Sequence, residues 1–169
     1  MLTLDSITNQ IDVKYAIDLF WELLEESPYK QGFFEENIEL IAKLAKRIAQ
    51  QKIGKCKIEE NDKGIVTYAE LDFNSSININ LKFKRFDNGN IEYILIDKND
   101  DGYPEYIFGF DENKNVILTE IDENSDGHKD VVMEVGTKNK YYFCTDFNSD
   151  GAIDSIFFGK KDSVQIKQD

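Results

Sequence analysis

The stretch DFNSDGAIDSIFF, Asp146 to Phe158, carries acid or amide side chains at alternate positions, then a glycine, another acid and an apolar run. Strand-like residues flank the acids, KYYFCT before and SIFFG after. Such a segment is either an acidic hairpin turn or an oxygen cage held between two strands. Its copies decide the fold. DKNDDGYPE begins at Asp97 and DENSDGHKD at Asp122, giving intervals of 25 and 24 residues. A further 25 residues back, DFNSSININ keeps Asp72 and Asn74 but has Ser76, Ile77 and Asn80 where the others have Asp, Gly and an acid. The flanks repeat as well. Tyr68, Tyr93, Leu118 and Tyr142 stand four places before the loops, and Phe83, Phe108, Met133 and Phe157 stand eleven places after each loop begins. A fixed period marks a stacked architecture. Here the unit is strand, loop, strand, tight turn, repeated four times with a decayed first loop.

From residue 53 onward, β-rich runs alternate with turn clusters: KCKIEE, GIVTYAEL, INLKFKRF, IEYILI, EYIFGF, VILTEI, DVVMEV, KYYFCT, DSIFFG and VQIK. The alternate links NDKG, FDNGN, DENKN, GTKNK and GKKDS have the Asn, Gly and Asp of hairpin turns. About ten strands joined this way predict an antiparallel meander, open and curled or propeller-like. The first third reads differently. Val13, Ala16, Ile17, Phe20, Trp21 and Leu24 form one helical stripe, and Phe34, Ile38, Ile41, Ala42, Ala45, Ile48 and Ala49 form another. SPYKQG, Ser27 to Gly32, breaks the pattern between them. The expected fold is mainly β with an N-terminal helical hairpin (α+β). Residues 1–52 form the hairpin and 53–169 the repeat domain. The hairpin is expected to cover an apolar face or the first edge of the meander, with Trp21 in the core.

The 169 residues include 33 acids and 20 bases, a net charge of −13. Residues 91–169 hold 18 acids against 8 bases. That surface repels nucleic acid phosphates and suits cations or basic proteins. No apolar run reaches the roughly 18 residues of a membrane span, so no membrane insertion is expected. Cys56, Cys144 and His128 are too few and too scattered for zinc; the two cysteines read as half-buried strand thiols. The N-terminal MLTLDSITNQ lacks the regions of a signal peptide and, taken as native, favours the cytoplasm.

The loops read D-x-N-x-D-G-x-x-[DE]. Positions 1, 3 and 5 aim oxygens at a common centre. Glycine at 6 permits a sharp turn, the carbonyl of 7 follows, and the acid at 9 closes the shell. Hard oxygen ligands in that number suit Ca²⁺, whereas Mg²⁺ demands stricter octahedral geometry. Without a cation, three carboxylates drawn together repel one another. The Asp72 loop has lost these charges and is expected to hold no metal. An EF-hand would need Glu at position 12 and a following helix. Phe108, Met133 and Phe157 stand there, before strands.

DFNSDGAIDSIFFG resembles the calcium loop of FG-GAP and VCBS repeats, in which D-x-[DN]-x-D-G-x-x-D joins two β-strands. The resemblance covers roughly residues 91–160 at motif level. It implies up to three Ca²⁺ ions. One is held by Asp97, Asn99, Asp101, Glu105 and the carbonyl of Tyr103. A second is held by Asp122, Asn124, Asp126, Asp130 and the carbonyl of His128. The third is held by Asp146, Asn148, Asp150, Asp154 and the carbonyl of Ala152. The repeat departs from those families in length, being about half a propeller blade. Phe108–Gly109 and Phe158–Gly159 echo the FG element, but no GAP follows.

No Ser/His/Asp set, phosphate loop or Cys–His pair is present, and His128 is expected to point to solvent, so no enzyme is expected. Two readings stand. In one, the chain is a calcium-stabilised binding module for a protein or carbohydrate, extracellular or at a cell surface. In the other, it is an acidic intracellular inhibitor or immunity-type protein that binds a basic toxin or nuclease. The sequence leaves the oligomeric state open.

Overall fold

The structure is a computed structural model and describes residues 12–27, 30–74, 76, 78–136, 140–160 and 163–166. It contains two helices followed by an antiparallel meander. The chain divides into two compact units, Met1–Ile79 and Asn80–Asp169.

The first unit holds α1 (Val13–Glu26), α2 (Lys30–Gln51), β1 (Cys56–Glu60) and β2 (Val66–Leu71). Helix α1 begins where Asp12 caps it, its carboxylate accepting the Lys14 N–H at 3.1 Å. Val13, Ala16, Ile17, Phe20 and Leu24 are buried as the stripe predicts, and Leu19 joins them. Phe34, Ile41, Ala42, Ala45 and Ile48 line the buried side of α2. Trp21, expected in the core, is half-buried. It lies edge-on to Phe20 and Phe73, at 5.0 and 5.4 Å between ring centroids. Of the expected break, Pro28 and Tyr29 lie outside the described residues, while Gly32 falls inside α2 rather than in the link. Glycine weakens a helix by about 1 kcal/mol. The apolar stripe beginning at Phe33 and Phe34 offsets that cost, because each buried aromatic contributes about 2–3 kcal/mol.

Within this unit α2 packs on β1 and β2. The change from helix to strand falls near residue 52, as the texture of the sequence indicates, but the compact unit runs on to Ile79. It takes in the first β-hairpin because that hairpin supplies the surface on which α2 rests. Gly54 makes the join: its φ is +58°, and a Cβ there would lie 2.0 Å from the Asp72 carbonyl oxygen.

The second unit holds β3 (Leu81–Arg85), β4 (Ile91–Ile96), β5 (Tyr106–Phe110), β6 (Val116–Ile121), β7 (Val131–Val135), β8 (Lys140–Thr145), β9 (Ser155–Lys160) and β10 (Ser163–Ile166). Among the described residues β3 to β10 pair in chain order, always antiparallel, and the strands do not close into a ring. Alternation places Leu81, Phe83, Ile94, Ile96, Phe108 and Phe110 on one buried face. The tight turns share one geometry. Phe86 and Asp111 each donate an N–H to the carbonyl of the residue four places on, and Gly89 and Lys114 take positive φ. A register shift precedes each of these turns, at Lys84/Arg85 and at Gly109/Phe110. Such bulges raise the local twist. The middles of GTKNK and GKKDS lie outside the described residues.

Two substitutions test the join in the first unit. Gly54→Ala meets backbone as well as an unfavourable φ, and is expected to lower the unfolding free energy by about 3 kcal/mol or more. Gly64→Ala has the same sign of φ but ordinary van der Waals space, and is expected to cost about 1–2 kcal/mol. Urea unfolding of both variants measures the difference, and equal losses would contradict the close approach.

Candidate metal centre

The three complete loops adopt one backbone conformation. Position 4 is left-handed in each (Asp100, Ser125 and Ser149, φ 64°, 59° and 54°), and position 6 is left-handed glycine (Gly102, Gly127 and Gly151, φ 91°, 86° and 85°). Two left-handed residues separated by one fold the chain back over its own start. The first aspartate then lies beneath the loop. Asp97, Asp122 and Asp146 each accept the N–H of the glycine at position 6, at 2.8, 2.9 and 2.7 Å. Position 3 accepts from the N–H of position 5: Asn99 from Asp101, Asn124 from Asp126, Asn148 from Asp150, all at 3.0 Å. Position 5 accepts from position 7, where Tyr103, His128 and Ala152 donate at 2.7, 2.8 and 2.9 Å. Position 9 reaches back to position 2: Glu105 accepts from Lys98, Asp130 from Glu123 and Asp154 from Phe147.

Burial divides the predicted ligands into two groups. Asp97, Glu105, Asp122, Asp130 and Asp146 are buried. Asn99, Asp101, Asn124, Asp126, Asn148, Asp150 and Asp154 are exposed, as are Tyr103, His128 and Ala152. Among the described residues, no three or more His, Cys, Asp or Glu side chains gather as a ready-made metal group. Each carboxylate instead turns at least one oxygen to a backbone N–H.

The Asp97 loop differs in what remains. Asp97 and Glu105 are each 2 % exposed, and Asp97 Oδ1 and Glu105 Oε1 have no hydrogen-bond partner. An unpaired carboxylate oxygen away from water is costly. Burial raises the Asp97 pKa above its ordinary value of 3.8; the N–H bonds of Gly102 and Asp100 oppose this, while Glu105 and Asp101 push it further up. The ion pairs Lys46–Glu60, Lys57–Glu59 and Lys84–Glu92 lie away from this loop. Two buried, mutually repelling acids with unfilled oxygens fit a hard divalent cation. Asp126, at the loop surface, shows the opposite case: the His128 N–H and the Asn124 amide lower its pKa. In the first loop Asp72 accepts from other N–H groups, those of Asn74 and Ser76 at 3.1 Å, and its Oδ2 is also buried without a partner.

Sequence reasoning missed the contacts between successive loops. The N–H of each first residue donates to the carbonyl of the preceding ninth residue: Asp97 to Asn80, Asp122 to Glu105, Asp146 to Asp130. Side chains add to this ladder. The Asn80 amide reaches the Asp97 carbonyl and Asp100, the Lys129 ammonium binds the Pro104 carbonyl, and Ser149 Oγ donates to Asp130 at 2.7 Å. His128 is exposed, as expected, and its ring lies beside Gly151, about 3.2 Å from where a Cβ would stand. The small polar residues at position 4 were the available signal for Ser149. Nothing in the pattern marked His128.

Cys56 and Cys144 are free, half-buried strand thiols, as expected. Burial raises both thiol pKa values. No helix among the described residues is long and apolar enough to cross a membrane. Comparison of the chain with protein-family models, curated proteins and solved structures finds no match.

Asp97 gives a pH prediction for the metal-free protein. Its folded pKa lies above the unfolded value, so the folded state holds more protons in that interval and stability falls as pH rises through it. Asp97→Asn removes the buried charge. In EDTA the variant is expected to melt no lower than the parent at pH 7, and to lose part of the parent's stability gain between pH 7 and pH 4. A variant that melts lower at pH 7 with an unchanged pH slope would show that the Asp97 carboxylate is already satisfied.

Proposed function

We propose that this chain is a calcium-binding β-hairpin repeat protein, a non-enzymatic interaction module whose loops take up Ca²⁺ to stabilise the hairpins. The observation that carries this reading is the pair of buried oxygens, Asp97 Oδ1 and Glu105 Oε1, that face no donor. The common conformation of three loops, and their likeness to FG-GAP and VCBS calcium loops, support extending it to all three. Asp97, Asn99, Asp101, Glu105 and the Tyr103 carbonyl would hold one ion. Asp122, Asn124, Asp126, Asp130 and the His128 carbonyl would hold a second. Asp146, Asn148, Asp150, Asp154 and the Ala152 carbonyl would hold a third. A bound ion replaces carboxylate repulsion with attraction between the two ends of a loop, so binding energy becomes folding energy.

The second reading, an acidic partner of a basic protein such as a toxin or nuclease, draws support from the excess of ten acids over bases in residues 91–169. Three calcium ions would offset six of those charges, so the two readings differ in how strongly metal opposes partner binding.

A thermal melt tests the calcium reading. At 10 mM Ca²⁺, a site with a Kd on the order of 10⁻³ to 10⁻⁴ M adds about 1.4–2.7 kcal/mol. The melting point should therefore rise from its value in EDTA by about 3 °C or more for each filled site. Magnesium at the same concentration should give a much smaller rise. Equal melts in EDTA and calcium would make the loops ordinary turns and leave the acidic surface as the feature to explain.

A further inference from the structure

The face of β6–β9 opposite the one that bears Phe108 carries two rows of side chains across four adjacent strands. In one row the register sets Glu120, Val132, Cys144 and Ile156 side by side, and in the other Leu118, Glu134, Tyr142 and Phe158. Ile156 is 42 % exposed and Phe158 is 59 % exposed. Tyr142 is held in its row by a hydrogen bond from its hydroxyl to Glu134 at 2.6 Å. Strands lie about 4.8 Å apart, so the rows span about 14 Å, wide enough to seat one helix of about 10 Å diameter. Each row grades from carboxylate on β6–β7 to exposed apolar side chain on β9. Lys140, one row toward the tight turn on β8, borders the aromatic end of the second row.

We propose that these rows form a docking surface for an amphipathic segment of a partner protein, one whose apolar side chains are flanked by lysine or arginine. Charge complementarity selects this occupant. Glu120 and Glu134 stand on the surface itself, and residues 91–169 carry ten more acids than bases. A second copy of the chain would bring the same excess of negative charge against it. Large apolar side chains left this exposed beside acids are the composition of a contact core with a charged margin. The inference rests on the interaction-module part of the reading above, and does not depend on calcium.

The test uses three synthetic peptides of about 14 residues, or four helical turns. One is a leucine/lysine amphipathic helix, one a leucine/glutamate helix of the same pattern, and one a serine/lysine peptide. Calorimetric titration is run in EDTA and again in calcium, so that failure of the metal sites leaves the docking result readable. The leucine/lysine peptide is expected to bind, and the other two to bind at least about tenfold more weakly. The double variant Ile156→Ser, Phe158→Ser is expected to weaken leucine/lysine binding by about tenfold or more while keeping the parent's melting point. Should that variant fail to fold, Glu120→Gln with Glu134→Gln keeps the apolar side chains and is expected to weaken binding and flatten its salt dependence. Equal binding of the serine/lysine peptide would overturn the proposal, as would equal binding of the leucine/glutamate peptide or unchanged binding by the variants. Self-association of the parent that the double variant abolishes would overturn it in favour of a second copy.

Discussion

Everything in the second unit follows from a buried aspartate that receives the loop's own N–H groups. A carboxylate at position 1 draws the glycine N–H of position 6 to within 3 Å, and that bond bends the chain over its start. The acid at position 9 then reaches back to the N–H of position 2. Two carboxylates are thereby drawn toward each other. The backbone bonds organise the loop, but the charges they gather oppose it. In the Asp97 loop this opposition is visible as two buried oxygens without partners and as a raised pKa whose causes include the neighbouring acids. On the calcium reading proposed above, a divalent cation held between the two carboxylates would replace their repulsion with attraction.

The same arrangement fixes the spacing of the repeat. Each first-position N–H bonds the previous ninth-position carbonyl, so one loop cannot shift without disturbing the next. Ser149 on Asp130, Lys129 on Pro104 and the His128 ring beside Gly151 strengthen that coupling. The tight turns at the other end of the strands set the reversal, with their bulges, while the acidic loops set the pitch. The division leaves the sheet face of β6–β9 free of both tasks, which is why exposed Ile156 and Phe158 call for a separate explanation.

Much of this was legible in the sequence, for identifiable reasons. Ten strands and two helices were readable because alternation, helical stripes and Asn/Gly turns agree with one another over short spans. The loops were readable because glycine at position 6 and acids at 1 and 9 recur at fixed distances. Other features arise from packing and have no local signal. Gly32 lies inside a helix because neighbouring Phe33 and Phe34 outweigh its low propensity. The first β-hairpin groups with the helices through packing of α2 and the close approach at Gly54, neither of which has a local signature. The burial of Asp97 and Glu105, in contrast to exposed Asp101, depends on how the loop folds over, which residue type alone does not encode.

The proposed calcium site requires the acids of the Asp97 loop to gather around a cation. A crystal structure grown in calcium, with anomalous scattering recorded, measures this most directly. A bound ion should give an anomalous peak about 2.3–2.6 Å from Asp97 Oδ1 and Glu105 Oε1, with six to eight oxygen ligands. An ordered loop with water or no density at that point, in saturating calcium, would contradict the proposed site.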